Sequence, residues 1–271
     1  MRNTALLVGA LGVAALVAWL VFVHDPEIAP RRYAHDASLR KLHHSWRAAS
    51  LAFARQTRPD HAETASIVHQ QAWEYLHVAT DRTSVVCETG FFRGMSAFLW
   101  LYASRASTLH SFDVSFPKES VATLRGTFGK ERLSVYEGST RVTLPAFRPP
   151  APCDVVSIDA SHDGWDPYQD LVDLLPRVRC NATVLFDDAF DDRAAGKALD
   201  NNPDRPTFYN ACTRSYWRAV REGLLAHASC ENFGRRQLWW GRYPKGYCMG
   251  RAAGAPSCGK AASRRGGRIK G

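Results

Sequence analysis

The sequence lacks the cysteine spacing of zinc sites and the signatures of common nucleic-acid-binding modules. Seven cysteines occur in the 271 residues, but no two stand in a C-x-x-C arrangement, which argues against zinc ribbons and zinc fingers. The formal net charge is +9, yet the basic residues are spread along the chain, and part of the excess lies in a polar, glycine-rich terminal segment. We therefore expect no nucleic-acid partner, and we expect residues 246–271 to form a basic flexible tail.

A complete dinucleotide-binding fingerprint is also missing. The stretch E-T-G-F-F-R-G lacks two glycines of G-x-G-x-x-G at the required spacing, which disfavours a bound pyrophosphate. What remains is a predicted strand ending at Glu88, a turn through Gly90 and Gly94, a helix, and a second strand ending at Asp113. An acid about twenty residues beyond such a turn can accept hydrogen bonds from both hydroxyls of a ribose. A carboxylate at Glu88 suits a ligand with an ammonium group, such as S-adenosylmethionine.

The chain begins with a long apolar run. Residues 4–23 carry no charge, and at 1.5 Å per residue such a run can cross a hydrocarbon core of about 30 Å. We interpret residues 1–25 as a membrane anchor and 26–61 as a stalk, with a cleaved secretory signal as the alternative. Arg31 and Arg32 favour a cytosolic domain by the positive-inside rule, whereas a glycosylation sequon at Asn181 favours the lumenal side. We expect a single-pass membrane protein with a lumenal domain, the cytosolic orientation being the alternative.

The cysteines give the lumenal orientation further support. Cys87 lies inside the first predicted strand, where we expect a buried thiol. The remaining six form an even set that could pair in an oxidising compartment, with scattered reduced thiols as the alternative. These six are Cys153, Cys180, Cys212, Cys230, Cys248 and Cys258.

Predicted strands alternate with helical segments from residue 62 to residue 245. The five strands are 84–88, 108–112, 133–136, 155–158 and 183–186. This alternation predicts an α/β fold, a doubly wound and mostly parallel Rossmann-like sheet with helices on both faces. Two further strands, 224–233 and 235–243, turning at Gly234, predict an antiparallel edge hairpin. Ligands of such sheets bind beyond the carboxyl ends of the strands.

Carboxylates end two later strands of this predicted sheet. The run V-V-S-I-D ends at Asp159, and V-L-F-D-D ends at Asp187 and Asp188. If the two strands are neighbours, these like charges lie close together, which is costly unless a cation neutralises them. Oxygen ligands favour a hard ion such as Mg²⁺. Each acid taken alone could instead be a helix N-cap or a solvated loop residue.

Taken together, these motifs resemble a known enzyme family over residues 83–243. The chain is similar to class I S-adenosylmethionine-dependent methyltransferases, and more narrowly to the metal-dependent O-methyltransferases related to the catechol and the macrolide- or aminocoumarin-sugar enzymes. The resemblance implies that the cofactor is bound by Glu88, Thr89, Gly90 and Gly94 at its methionine part, by Asp113 at its ribose and by Ser139 at its adenine. It also implies a divalent metal, expected to be Mg²⁺, held by Asp159, Asp187 and Asp188.

The predicted function follows from that resemblance and from one departure. Sugar-modifying relatives often carry an acidic base two residues beyond the first metal aspartate, where this chain has Ser161. His162 is the next residue that can accept a hydroxyl proton. We predict metal-assisted O-methylation of a hydroxyl on a small molecule or glycan, with Asp159 and His162 as the catalytic residues. The alternatives are an NAD-linked oxidoreductase and a membrane-tethered binding module without turnover.

Overall fold

The computed structural model describes residues 33, 35–57, 69–82, 85–191, 210–238 and 241–259. The predicted anchor at residues 1–25, part of the predicted stalk and the end of the predicted tail lie outside the described residues. Within the described ranges, no helix combines the length and the apolar character needed to cross a membrane.

The centre of the fold is a seven-stranded sheet. In chain order, β1 to β7 span Val85–Thr89, Thr108–Asp113, Leu133–Glu137, Cys153–Ile158, Val178–Asp187, Leu225–Leu238 and Gly241–Ala252. The strand order across the sheet is β3-β2-β1-β4-β5-β7-β6. Strands β1 to β5 are parallel, and β7 runs antiparallel to both β5 and β6. The predicted fold class, a mostly parallel Rossmann-like sheet with an antiparallel edge, is confirmed.

Helices cover both faces of the sheet. In chain order, α1 to α7 span Ala37–Thr57, His69–Arg82, Met95–Ala103, Lys118–Phe128, Thr140–Ala146, Asp166–Leu174 and Ala211–Arg221. Helices α1 to α4 share one apolar cluster with Val86 and Leu185, whereas α5 to α7 share the other with Cys87 and Phe186. This division follows from the two-residue period of a strand. Glu88 and Asp187 therefore belong to the face that α1 to α4 cover.

Part of the predicted stalk is an integral helix. Leu39, Trp46 and Phe53 recur every seven residues along α1 and are 4%, 1% and 3% exposed. The Phe53 ring stacks on Phe98 of α3 with a centroid distance of 5.0 Å. Such an apolar stripe on a helix buries itself against the rest of the domain. The domain therefore begins well before residue 62, and the prediction of a stalk is wrong for residues 37–57.

The turn of the edge hairpin was predicted at the wrong position. Strand β6 continues through Gly234 to Leu238, and the chain reverses before Gly241. The pairing of β6 with β7 shifts register between Asn232 and Arg235, so Gly234 marks an irregularity within a strand rather than its end. Strand β7 then runs to Ala252, so the predicted tail boundary at residue 246 is also wrong.

Three disulfides link the described cysteines: Cys87–Cys153, Cys180–Cys258 and Cys230–Cys248. The free cysteine is Cys212, which is buried. The prediction of Cys87 as a free thiol is wrong because β1 and β4 are neighbours in the sheet, which brings its Cα within 5.9 Å of that of Cys153. Six cysteines are paired, as predicted, but the set includes Cys87 instead of Cys212.

Candidate functional site

A cavity of about 720 Å³ opens beyond the carboxyl ends of the parallel strands. The predicted site residues that line it are Gly90, Asp113, Ser139, Asp159, His162, Asp187 and Asp188. Glu88, Thr89 and Gly94 do not line it. The structure thus gathers most of the predicted residues around one space large enough for a nucleoside-type ligand.

The turn after β1 is held by its backbone and by Asp113. The Oδ2 atom of Asp113 accepts hydrogen bonds from the backbone N–H groups of Phe91 and Phe92, at 2.7 and 2.8 Å. Gly90 has a φ of 93°, and a Cβ there would lie 2.1 Å from the carbonyl oxygen of Asp159. Only glycine fits this position. Asp113 therefore shapes the turn itself, in addition to the ribose contact that the sequence predicts.

Gly94 supports the same turn from below. Its N–H donates to the Phe91 carbonyl at 2.7 Å, its φ is 82°, and it immediately precedes α3. A Cβ at this position would lie 2.7 Å from the Phe91 ring. Gly94 thus acts through packing and backbone conformation rather than by facing the cavity.

Glu88 lies beneath the turn and is 1% exposed. Burial raises the pKa of its carboxyl to about 8, although the Ser111 hydroxyl opposes this shift by donating to Oε1 at 2.8 Å. At neutral pH the Glu88 carboxyl is therefore mainly protonated in the ligand-free protein. A cationic ligand placed above it would favour the ionised form.

Asp159, His162 and Asp188 form a compact group that includes one imidazole. His162 Nε2 lies 3.4 Å from Asp159 Oδ1, and His162 Nδ1 lies 3.9 Å from Asp188 Oδ2. One ligand atom from each residue can be chosen so that all three fall within 4.8 Å of one another. Burial acts to lower the pKa of His162, but the Cys212 sulfur and the Asp159 carboxylate outweigh it, so this pKa lies well above its ordinary value.

Asp187, although predicted as a metal ligand, is not a member of this group. Its side chain is 5% exposed, and its Oδ1 atom accepts the backbone N–H of Asp188 at 2.9 Å. Asp188 has a positive φ of 52°, which turns the chain at the end of β5. Asp187 thereby helps to position Asp188, and sequence spacing alone could not separate the two roles.

Ser139 and its neighbours form the opposite side of the cavity. The Ser139 hydroxyl caps α5 by accepting the backbone N–H of Arg141 at 3.3 Å. The Arg141 guanidinium donates to Asp170 Oδ1 at 2.8 Å. Burial raises the pKa of Asp170 to about 6, against the opposing effect of Arg141. This ion pair fixes the segment that carries Ser139, and no motif in the sequence indicated it.

Sequence reasoning missed several polar residues of the cavity wall, among them Gln71 and Tyr75 of α2 and Ser96 of α3. The four-residue spacing of Gln71 and Tyr75 places both on one face of α2. That spacing was a usable signal, but nothing local indicated that this face meets the cavity.

Comparisons with known proteins agree with this geometry. Residues 87–189 match a family model described as a methyltransferase domain, and every predicted site residue lies in that segment. No curated protein matches the chain. The match favours the methyltransferase prediction over an NAD-linked oxidoreductase.

Solved structures share the fold. The O-methyltransferase TomG from Streptomyces achromogenes, in complex with S-adenosylmethionine (SAM), is 18% identical, with a TM-score of 0.56 over 75% of this chain and 89% of that chain. A putative O-methyltransferase from Klebsiella pneumoniae is 16% identical, with a TM-score of 0.55 over 88% and 96% of the two chains. An O-methyltransferase from Bacillus cereus, in complex with SAH (S-adenosylhomocysteine), is 17% identical, with a TM-score of 0.54 over 88% and 97%.

Proposed function

We propose that the chain is a class I S-adenosylmethionine-dependent methyltransferase, which the match to a methyltransferase domain supports, and that it methylates a hydroxyl oxygen on a small molecule or a glycan. One observation carries this proposal: the turn made by Gly90 and Asp113 and the group Asp159–His162–Asp188 line the same cavity. A methyl donor and an activated acceptor can therefore be held side by side, which is the main requirement of a displacement reaction.

The proposed cofactor position follows the polar groups of the wall. The methionine part lies at the Gly90 turn above Glu88, the ribose lies at the Oδ1 side of Asp113, and the adenine lies near Ser139. Thr89 and Gly94 act indirectly, by shaping the turn. In the reaction, the carbon–sulfur bond of the sulfonium breaks and a carbon–oxygen bond to the acceptor forms. The acceptor hydroxyl loses its proton, and S-adenosylhomocysteine is released.

The residues present fit a divalent cation. We propose Asp159, His162 and Asp188 as its ligands, because two carboxylates and an imidazole can converge on one ion. A mixed nitrogen and oxygen set suits Mn²⁺ or Zn²⁺ as well as Mg²⁺. When bound, such an ion would lower the pKa of an acceptor hydroxyl. Electron paramagnetic resonance of added Mn²⁺ tests the set, with Asp188→Ala expected to abolish binding and Asp187→Asn to weaken it less.

His162 has a second proposed role, that of general base. The raised pKa means that the imidazole carries a proton at neutral pH, so it must lose that proton either to ligate an ion or to act as a base. The His162→Ala variant distinguishes the two roles. Lost Mn²⁺ binding supports a ligand, whereas retained Mn²⁺ binding with lost methyl transfer supports a base.

Calorimetric titration of the full chain with S-adenosylmethionine tests the function as a whole. We expect binding in the wild type and weaker binding in Asp113→Ala. Transfer of labelled methyl groups to a panel of phenols and sugars then identifies the acceptor class. Retained cofactor binding without transfer to any hydroxylated acceptor would favour the non-catalytic binding module.

We further propose that the domain lies in an oxidising lumen, attached through residues 1–25. Three disulfides support this location, since such bonds persist in oxidising compartments. The side chain of Asn181, in the sequon, is exposed at an irregular point of β5 where φ is 62°. Protease protection of the domain in sealed microsomes, together with glycosidase sensitivity that Asn181→Gln removes, is the expected result. A protease-accessible, unglycosylated domain would instead indicate the cytosolic orientation.

A further inference from the structure

A second cavity, of about 640 Å³, lies at the amino ends of β4 and β5, on the opposite edge of the sheet from the candidate site. Its apolar lining includes Val78 of α2 and Val155 of β4. The polar residues of its lining are Asp154, Arg179, Asn181, Thr183, His227 and Arg251. The proposed methyl transfer uses none of them. A cavity of this size can hold a small organic ligand.

A bulge in β5 places Asn181 on the wall of the second cavity. Two steps along β4, from Cys153 to Val155, match five steps along β5, from Val178 to Thr183. Asn181 is one of the extra residues, with a φ of 62° and an exposed side chain. Asparagine tolerates this conformation better than most residues do, and bulges re-aim side chains. The bulge therefore puts the sequon asparagine beside the other polar residues of the cavity.

The edge hairpin contributes a further part of the wall. The register of β6 and β7 shifts between Ala226 and Ser229, and His227 within this shift has a φ of 53°. On β7, the Arg251 Nη1 atom donates to the Thr183 hydroxyl at 2.6 Å. Two irregular strand segments thus contribute polar side chains to one cavity.

The charged residues of the lining carry both signs. Arg179 Nε lies 2.7 Å from Asp154 Oδ1, so these two side chains hold each other in place. A guanidinium has five N–H groups, and the contacts of Arg179 and Arg251 within the described residues use only some of them. An acidic ligand would lie close to the Asp154 carboxylate, which would repel it. The lining therefore fits a neutral ligand that both donates and accepts hydrogen bonds.

We propose that the second cavity binds the first sugars of an N-linked glycan on Asn181. N-Acetylglucosamine is neutral, and its hydroxyls and acetamide group both donate and accept hydrogen bonds. The apolar C–H face of the ring meets Val78 and Val155, while Arg179, His227 and Arg251 contact its polar edge. This inference rests on the proposed function, because it requires the lumenal location proposed above.

The fold indicates when the glycan is added. Thr183, the third residue of the sequon, is 4% exposed and accepts from Arg251 in the folded chain. We therefore expect the modification to precede the pairing of β5 with β7. A bond then forms between the Asn181 amide nitrogen and the anomeric carbon of a lipid-linked oligosaccharide. The bond from that carbon to the pyrophosphate of the lipid breaks, and the amide nitrogen loses a proton.

Digestion with an endoglycosidase that cuts within the glycan core tests the proposal on the full chain, produced in a glycosylating host and kept in detergent. If the bound form of the glycan is about tenfold more populated than the free form, release from the folded protein is about tenfold slower than after unfolding. His227→Ala and Arg251→Gln each remove a polar partner of the sugars. We expect both to raise the rate in the folded protein to nearly the rate after unfolding.

A relocated glycan provides the matched control. Arg105→Asn creates a sequon with Ser107 in an exposed turn that lines neither cavity. Combined with Asn181→Gln, it leaves a single glycan, which should be released equally fast before and after unfolding. A cooperative thermal transition above the digestion temperature shows that the His227→Ala and Arg251→Gln chains are folded.

The outcomes separate the inference from the proposed location. Release of the wild-type glycan at the same rate before and after unfolding would overturn the inference and leave the lumenal location intact. Slow release that neither His227→Ala nor Arg251→Gln changes would also overturn it, because the bulge alone would then hinder the enzyme. A wild-type chain without a glycan on Asn181 would overturn the lumenal location, and the inference with it.

Discussion

The two ends of the parallel sheet differ in how well their polar groups are stabilised. At the amino end, the Asp154 carboxylate accepts the Val85 N–H at 3.1 Å and pairs with Arg179 at 2.7 Å. The disulfide Cys180–Cys258 ties the start of β5 to the turn after β7. These polar groups at the amino end have hydrogen-bond or ion-pair partners, and the disulfide closes a long segment of the chain.

The carboxyl end has the opposite character. Glu88 is buried with a raised pKa, and Phe92 and Asp188 adopt positive φ values of 48° and 52°. Such features reduce stability and are common at binding sites. The difference indicates that the amino end supplies stability that the cavity end lacks.

Replacing Glu88 tests how far the carboxyl end of the sheet lowers the free energy of unfolding. It has the largest expected effect on that quantity. Because the folded protein raises the pKa of this carboxyl from 4.5 to about 8, it binds the proton more tightly than the unfolded chain does between those values. Stability therefore falls as pH rises through this window, on the order of 5 kcal/mol for the group. In urea unfolding of the ligand-free protein, Glu88→Gln should lose this pH dependence. Parallel pH profiles for variant and wild type would contradict the assignment.

Removing a disulfide tests the contribution of the amino end. The Cys180–Cys258 bond at the amino end closes 78 residues, whereas Cys230–Cys248, whose Cys248 pairs with Phe186 near the carboxyl end of β5, closes 18 and serves as the comparison. Loop-closure entropy predicts a loss of about 4.5 kcal/mol for Cys180→Ala/Cys258→Ala and about 3 kcal/mol for Cys230→Ala/Cys248→Ala. Urea unfolding measures both. Affinity for S-adenosylhomocysteine should be retained in the folded variants, and a loss of affinity in Cys180→Ala/Cys258→Ala would show that the two ends are coupled.

The two ends also differ in how far the sequence predicted them. Strands β1 and β2 were each predicted to within one residue, because the signals for strand, turn and helix are contiguous and local. The disulfide partner of Cys87 lies 66 residues away, and the packing of α1 depends on rings in α2 and α3. Such contacts depend on which strands and helices become neighbours, which the local pattern does not specify.

The candidate site was predicted in composition more than in geometry. Strand ends identified Asp113, Asp159 and Asp188, because parallel strands bring their carboxyl ends together. The compact group contains His162, where Asp187 was predicted, because of the backbone turn at Asp188. No residue pattern predicts a positive φ at an aspartate. The cavity wall from α2 was missed for a related reason, since a helical period shows which residues share a face but not what that face meets.

Two glycines allow a comparison between the constrained turn after β1 and an unconstrained position in helix α4. A Cβ at Gly90 would lie 2.1 Å from a backbone oxygen, at a φ of 93°, whereas a Cβ at Gly126 in α4 would meet nothing within 4 Å. We expect Gly90→Ala to lose about 3 kcal/mol of stability and measurable cofactor binding. Gly126→Ala should gain about 0.5–1 kcal/mol, because alanine favours a helix interior. Thermal unfolding and calorimetry check both, and a tolerated Gly90→Ala would mean that the turn is free to move.

Two aspartates give the finest test, because each accepts backbone N–H groups at a different end of the sheet. Asp113 accepts from Phe91 and Phe92 in the turn, and Asp154 accepts from Val85 at the start of β1. Replacing either by asparagine weakens a charge-assisted hydrogen bond and should cost about 1 kcal/mol of stability. Only Asp113→Asn should also weaken S-adenosylhomocysteine binding, by about tenfold, because only that carboxylate faces the cavity. Equal losses of affinity in both variants would mean that turn geometry is transmitted through β1, and that the two ends of the sheet are not independent.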